Sequence, residues 1–166
     1  MFYTIAELNQ MSQDEFVTAL GAVFEHTPAI AHQTWYQRPF THVTHLYQQM
    51  IAVVNAMSRE EQLALIQAHP DLGSKAKMAE ASVKEQAGVE LDRLTPEEYD
   101  RFQAFNQAYK DRFGFPFIVA VRNHRKTTIL EAFERRLQNS ADVEMQEAIA
   151  QINQIAQFRL FDLLHQ

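Results

Sequence analysis

The chain of 166 residues has no cysteine. That excludes disulfide staples, thiolate chemistry and cysteine-ligated zinc, and it suits a reducing compartment. Glycine occurs only four times and proline five times, so there is little material for a flexible linker between domains. No run of Lys or Arg is present. With 15 basic against 21 acidic side chains and a net charge of −6, the chain offers no basic face for nucleic-acid phosphates. No apolar run reaches bilayer length, since the longest strongly apolar stretch is residues 115–121, and a spanning helix needs about 20 residues. Met1-Phe2-Tyr3-Thr4 has neither the basic nor the apolar part of a secretion signal, and Leu164-His165-Gln166 is not a Ser-Lys-Leu address. A cytosolic protein with no membrane or nucleic-acid partner is expected.

What is present is core-forming material. Apolar residues make up 46% of the chain and twelve are Phe, enough to bury a core without staples. The pattern Ser/Thr-x-x-Glu recurs at Thr4/Glu7, Ser12/Glu15, Ser58/Glu61, Ser82/Glu85, Thr95/Glu98 and Thr128/Glu131. In such a box the hydroxyl accepts from an N–H of the first helical turn while the carboxylate reaches back to the cap N–H. Thr27-Pro28 and Thr95-Pro96 add proline at the first helical position.

Periodicity agrees with these starts. Val43, Leu46, Tyr47, Met50, Ile51, Val54 and Met57 form one helical stripe. Tyr99, Phe102, Phe105, Tyr109 and Phe113 form a second, ended by Gly114. Met145, Ile149, Ile152, Ala156, Leu160 and Leu163 form a third. These features predict an all-α fold, one domain over 1–166 with about eight helices and no significant sheet.

Two places break the helical rhythm. In His69-Pro70-Asp71-Leu72-Gly73, Pro70 holds His69 in extended backbone and ends the helix over 58–68. A polar, lysine-bearing loop follows, and then Ser82-Val83-Lys84-Glu85-Gln86 at a predicted helix start. That places a group titrating near neutral pH and a carboxylate beside one irregular loop, as acid–base catalysis requires. The second break is Phe115-Pro116-Phe117-Ile118-Val119-Ala120-Val121, an apolar run with no partner strand. Its N–H and C=O groups must find side chains, water or a ligand.

Other candidates are weaker. Arg159 sits beside the apolar stripe of the last helix and suits either a solvated guanidinium or a fork for a carboxylate or carbonyl. His42 and His45 are spaced to share a metal, but no HExxH pattern or third ligand accompanies them. Ser82 and Glu85 are equally readable as cap partners. No P-loop, dinucleotide fingerprint or nucleophile elbow occurs.

Taken together, His69-Pro70-Asp71-Leu72, Ser82-Val83-Lys84-Glu85-Gln86-Ala87-Gly88, Asn106-Gln107-Ala108-Tyr109, Arg112-Phe113-Gly114-Phe115-Pro116-Phe117-Ile118-Val119 and Arg159-Leu160 resemble the decarboxylases of 2-oxo-4-hydroxy-4-carboxy-5-ureidoimidazoline, abbreviated OHCU. The resemblance runs from about residue 8 to residue 164, with the loop 73–81 shorter than in some relatives. It implies an all-α enzyme of urate breakdown that turns OHCU into (S)-allantoin and carbon dioxide, using no metal and no organic cofactor. It also implies His69 and Glu85 as catalytic residues. Pro70, Ser82, Gln86, Phe117, Ile118, Val119, Ala120, Val121 and Arg159 are then substrate contacts. A homodimer is compatible with it. Two other readings stay open at this point: a helical binding module, and a metal-dependent hydrolase built on His42 and His45.

Overall fold

The computed structural model describes residues 2–73 and 80–164. They group into two compact units. Among the described residues there are nine α-helices and two short 3-10 turns, one more helix than the patterning suggested, and the only β contact is a lone bridge between Tyr3 and Leu164. The all-α expectation therefore holds.

The first unit comprises the chain up to residue 62 and from residue 153 onward. It contains α1 (Ile5–Gln10), α2 (Gln13–Leu20), α3 (Ala29–Thr34), the 3-10 turn Trp35–Gln37 and α4 (Val43–Ala56). Its core is built from Leu8, Phe16, Leu20, Ile30, Phe40, Leu46, Met50, Val54 and Leu160. The α4 stripe buries Leu46, Met50 and Val54, its every-fourth-residue face. Asn9 acts as a two-way clasp: Nδ2 donates to the Phe40 carbonyl (2.9 Å) and Oδ1 accepts from the Phe40 N–H (2.8 Å). Arg38 stacks on Trp35 at 3.8 Å and donates to the carbonyls of Asn9 and Met11.

The second unit spans residues 63–152. It holds α6 (Glu80–Gly88), α7 (Pro96–Phe113), the 3-10 turn Val121–Asn123 and α8 (Lys126–Arg136). Helix α5 (Arg59–Gln67) begins in the first unit and ends in the second, while α9 (Ala141–Leu163) runs the other way. Aromatic packing dominates here. Phe117 stacks on Phe133 at 3.8 Å and meets Tyr109 edge-on at 5.3 Å. Gly114 ends α7 at φ 79°, the left-handed conformation that a side chain disfavours.

Four of the predicted capping boxes are formed, at Thr4/Glu7, Ser12/Glu15, Ser58/Glu61 and Thr95/Glu98. Two are not. Helix α6 already runs from Glu80, so Ser82 and Glu85 are both inside it. Helix α8 starts at Lys126, so Thr128 is its third residue and reaches back, Oγ1 accepting from the Arg125 N–H at 2.8 Å. Pro28 precedes α3 and does not open it. The lysine-bearing stretch 74–79 lies outside the described residues.

The boxes generate a testable expectation. Thr95→Ala should lower the unfolding free energy by about 1 kcal/mol. The backbone N–H groups of Ser12, Ser58 and Thr95 hold Glu15, Glu61 and Glu98 below the ordinary value of 4.5. The unfolded chain therefore takes up protons more readily than the folded one. The stability these boxes supply is present above about 4.5 and is lost as pH falls through the lower folded values. Urea titrations and thermal melts on both sides of that pH check both parts.

Candidate active site

His69 closes α5. Its N–H still donates to the Ile66 carbonyl (3.1 Å), but Pro70 prevents a further helical turn. The side chain is 8% exposed, and Nδ1 stands 3.0 Å from the Leu65 carbonyl oxygen. A carbonyl oxygen can only accept, so Nδ1 carries the hydrogen. In the neutral ring the lone pair then lies on Nε2. The tautomer and the ring orientation are both set by the helix that His69 terminates.

The chain after His69 is clamped by three side chains. Lys110 Nζ pairs with Asp71 at 2.8 Å, Asn106 Nδ2 donates to the Leu72 carbonyl at 2.9 Å, and Gln86 Oε1 accepts from the Gly73 N–H at 3.0 Å. Asn106 and Lys110 are one turn apart on α7, so they address consecutive points of the loop. Gly73 adopts φ 67°, and a Cβ there would come within 2.7 Å of Leu94 Cδ1. His69 borders a cleft of about 340 Å³ shared with Gln67, Asp71, Lys110, Phe115 and Pro116.

Helix α6 presents Ser82 and Gln86 buried and Glu85 half-buried. Because Ser82 is inside the helix, it is not an N-cap, and Glu85 is not its capping partner. Helix α6 packs against the turn Val121–Asn123. The loop at residues 69–73, α6 and the run 115–121 thus gather within the second unit. Pro70 is half-buried beside them.

Residues 115–121 are all buried and belong to no strand. Their polar groups are held by side chains. Arg136 Nη1 donates to the Ile118 carbonyl, and its guanidinium lies 4.3 Å from the Phe117 ring centroid. Arg136 Nε pairs with Glu144 at 2.8 Å, and Tyr109 Oη donates to the same carboxylate oxygen at 2.6 Å. Burial first, and then that hydrogen bond, push the Tyr109 hydroxyl well above its ordinary range, so it stays a donor. Asn139 Nδ2 fills the other Glu144 oxygen at 2.8 Å. Gln151 Oε1 accepts from the Ala120 N–H at 2.9 Å. The Ala120 N–H thus finds a side-chain acceptor, one of the ways in which a buried run outside any strand can satisfy its polar groups. Among the described residues, the N–H groups of Phe117, Ile118 and Val119 donate to no protein acceptor.

Arg159 lies in the first unit. It is 7% exposed, so it is not the solvated guanidinium that its place beside the stripe also allowed. It is not waiting for an anion to neutralise it. Nη2 pairs with Glu25 at 2.9 Å, and Nη1 lies 3.4 Å from the Ala22 carbonyl oxygen and 3.5 Å from that of Val23. His42 and His45 have local work at the start of α4. His42 Nδ1 accepts from the His45 N–H and His45 Nδ1 accepts from the Thr41 N–H, both at 3.1 Å. Among the described residues no three His, Asp or Glu side chains gather as a metal site, and no helix is long and apolar enough to cross a membrane.

The family model for OHCU decarboxylase matches residues 9–161. This chain belongs to that family. The OHCU decarboxylase of Halalkalicoccus jeotgali is 43% identical to it, over 96% of this chain and 91% of the relative. A uric acid degradation bifunctional protein of Bacillus subtilis is 41% identical over 98% of this chain, which covers 33% of that larger protein. A crystal structure of (S)-allantoin synthase matches with a TM-score of 0.77 at 31% identity, over 98% of this chain and about half (54%) of the other. Membership in a family of enzymes weighs against a binding module, and the capping roles of His42 and His45 weigh against the metal hydrolase.

Some supporting residues of the decarboxylase fold were not singled out by sequence reasoning. Asn106 had a signal, being polar on the buried seam of Phe102, Tyr109 and Phe113. Arg136, Glu144 and Gln151 had none that is local, because their partners are distant in sequence. Glu25 lies between helices without any periodic context. Its role is testable. Glu25→Ala breaks a buried ion pair of Arg159 and should destabilise the protein by about 3–5 kcal/mol, well beyond the effect of losing one helix cap. Equilibrium denaturation of the variant reads this directly.

Proposed function

We propose that this chain decarboxylates OHCU to (S)-allantoin and carbon dioxide in urate breakdown, without metal or organic cofactor. The observation that carries this reading is the family match across nearly the whole chain. The chemistry suits the residues. The substrate has a carboxylate and a hydroxyl on one ring carbon, beside a C=N bond. When the carbon–carboxylate bond breaks, its electron pair forms a new ring double bond and the C=N pair moves onto nitrogen. Carbon dioxide leaves, that nitrogen takes up one proton from solvent, and an enol-like intermediate remains. One proton delivered to one face of the ureido-bearing carbon, with loss of the hydroxyl proton, gives allantoin of a single hand. The substrate is its own electron sink, which is why neither pyridoxal nor thiamine is called for.

His69 Nε2 performs the proton work, with Nδ1 held on the Leu65 carbonyl throughout. Because that carbonyl already orients the imidazole, the Glu85 carboxylate is assigned to the ureido N–H groups. Ser82, Gln86, Pro70 and the backbone from Phe117 to Val121 contact the substrate, with Ile118 and Val119 offering N–H groups to the developing charge. Arg159 is assigned to a substrate oxygen, as the family resemblance implies, because a planar guanidinium suits a carboxylate or carbonyl. We place the enzyme in the cytosol and extend the reading to a homodimer. Light scattering at twice the chain mass would bear the dimer out.

OHCU generated in situ from urate should decay faster with the purified protein, and the allantoin formed should be the (S) form. Treatment with chelator should leave that rate unchanged. Loss of activity that a divalent metal restores would sink the cofactor-free reading. Within the same assay, His69→Ala and Glu85→Ala should each cut turnover by about 10²-fold or more. Arg159→Lys should also impair turnover, since an ammonium cannot serve Glu25 and a substrate oxygen with one planar fork. Folded variants with wild-type rates would remove those residues from the site.

A further inference from the structure

The Arg136 guanidinium is buried, 3% exposed, and reaches the Ile118 carbonyl from α8. Nothing in the decarboxylase reading uses it. Its placement has a geometric consequence one atom further along the chain. The Ile118–Val119 peptide bond is trans; among the described residues the cis bond is Arg38–Pro39. In a planar trans peptide the C=O and N–H of one unit point in opposite directions. Whatever fixes the Ile118 oxygen therefore fixes the direction of the Val119 N–H. That N–H donates to no protein acceptor among the described residues.

We propose that Arg136 is a positioning residue for catalysis: by holding the Ile118 carbonyl with a charged donor, it aims and strengthens the Val119 N–H as the hydrogen-bond donor to the electron-rich intermediate. This rests on the decarboxylase reading. A cationic donor on the oxygen draws electron density from the amide and makes its N–H a better donor, as in a hydrogen-bonded chain. The guanidinium is itself fixed on three sides. Nε is held by Glu144, that carboxylate is held by Tyr109 and Asn139, and the Phe117 ring lies against the guanidinium plane. A donor preorganised in this way costs no reorganisation when charge develops. Gln151 adds the complementary restraint, engaging the Ala120 N–H so that the next peptide cannot rotate in its place.

The test uses the full-length protein and two changes. Arg136→Lys keeps the charge and the Glu144 partner but cannot hold the Ile118 oxygen and Glu144 in one rigid fork. It should lower kcat by about 10-fold or more with KM within about threefold, because the donor acts on the intermediate more than on the substrate. In the same variant the Val119 amide proton, followed by NMR, should move upfield as its peptide loses the charged partner. The second change replaces Val119 by its α-hydroxy acid, which deletes that N–H while keeping every side chain, and remains informative if Arg136→Lys fails to fold. It should lower kcat by about 10²-fold, and adding Arg136→Lys to it should cost little more. Wild-type kcat in the ester protein, or an unmoved Val119 resonance in folded Arg136→Lys, overturns the proposal. If the unaltered protein does not consume OHCU, the decarboxylase reading falls instead, and the amide resonance still decides whether Arg136 sets this peptide.

Discussion

A buried peptide segment that is neither helix nor sheet must have its polar groups answered one at a time. Residues 115–120 impose that condition on the second unit. Their side chains supply its aromatic centre, Phe117 packing against Phe133 and Tyr109. The backbone is threaded through the same space. The Arg136–Glu144 pair, with Tyr109 and Asn139 around it, makes this burial tolerable. Burying the ions has a large desolvation cost, and here each is offset by short hydrogen bonds from neighbours that are also held. Three helices, α7, α8 and α9, each contribute a polar group at a buried point for this reason.

The loop that carries His69 follows the same logic on a smaller scale. Lys110, Asn106 and Gln86 each fix a different residue of the turn that Pro70 starts. These two irregular segments are therefore held by side chains projecting from regular helices. Helices give each anchor a rigid base, and the anchors give the loops a definite shape. The His69 imidazole is held by the carbonyl of its own helix and the Ile118 peptide by a guanidinium, so both are oriented by the protein itself.

Much of this was legible in the sequence, and the failures follow a rule. Helix starts at Thr4, Ser12, Ser58 and Thr95 are determined by hydrogen bonds within four residues, so the pattern alone suffices. The same pattern misled at Ser82 and Thr128, because Ser/Thr-x-x-Glu has no mark telling the cap from a residue inside the first turn. His69 was visible because proline leaves a local signature. Arg159 stands beside an apolar stripe, which left a solvated and a buried guanidinium both open, and its partner Glu25 lies more than a hundred residues away in sequence and belongs to no periodic element. Arg136 and Glu144 are hidden for the same reason. Their roles depend on which helices meet, and pattern and propensity describe only each helix by itself.

Holding a backbone by separate side chains has a consequence for how such a segment can change over evolutionary time. In a sheet the ladder is collective, and displacing one strand by a single residue reverses the face of every side chain along it. Here Ile118 answers to Arg136 and Ala120 answers to Gln151, independently of each other. One substitution on a supporting helix can turn one peptide plane and leave the next as it was. The run 115–121 is thus adjustable peptide by peptide, a backbone whose fine alignment is encoded at positions outside itself.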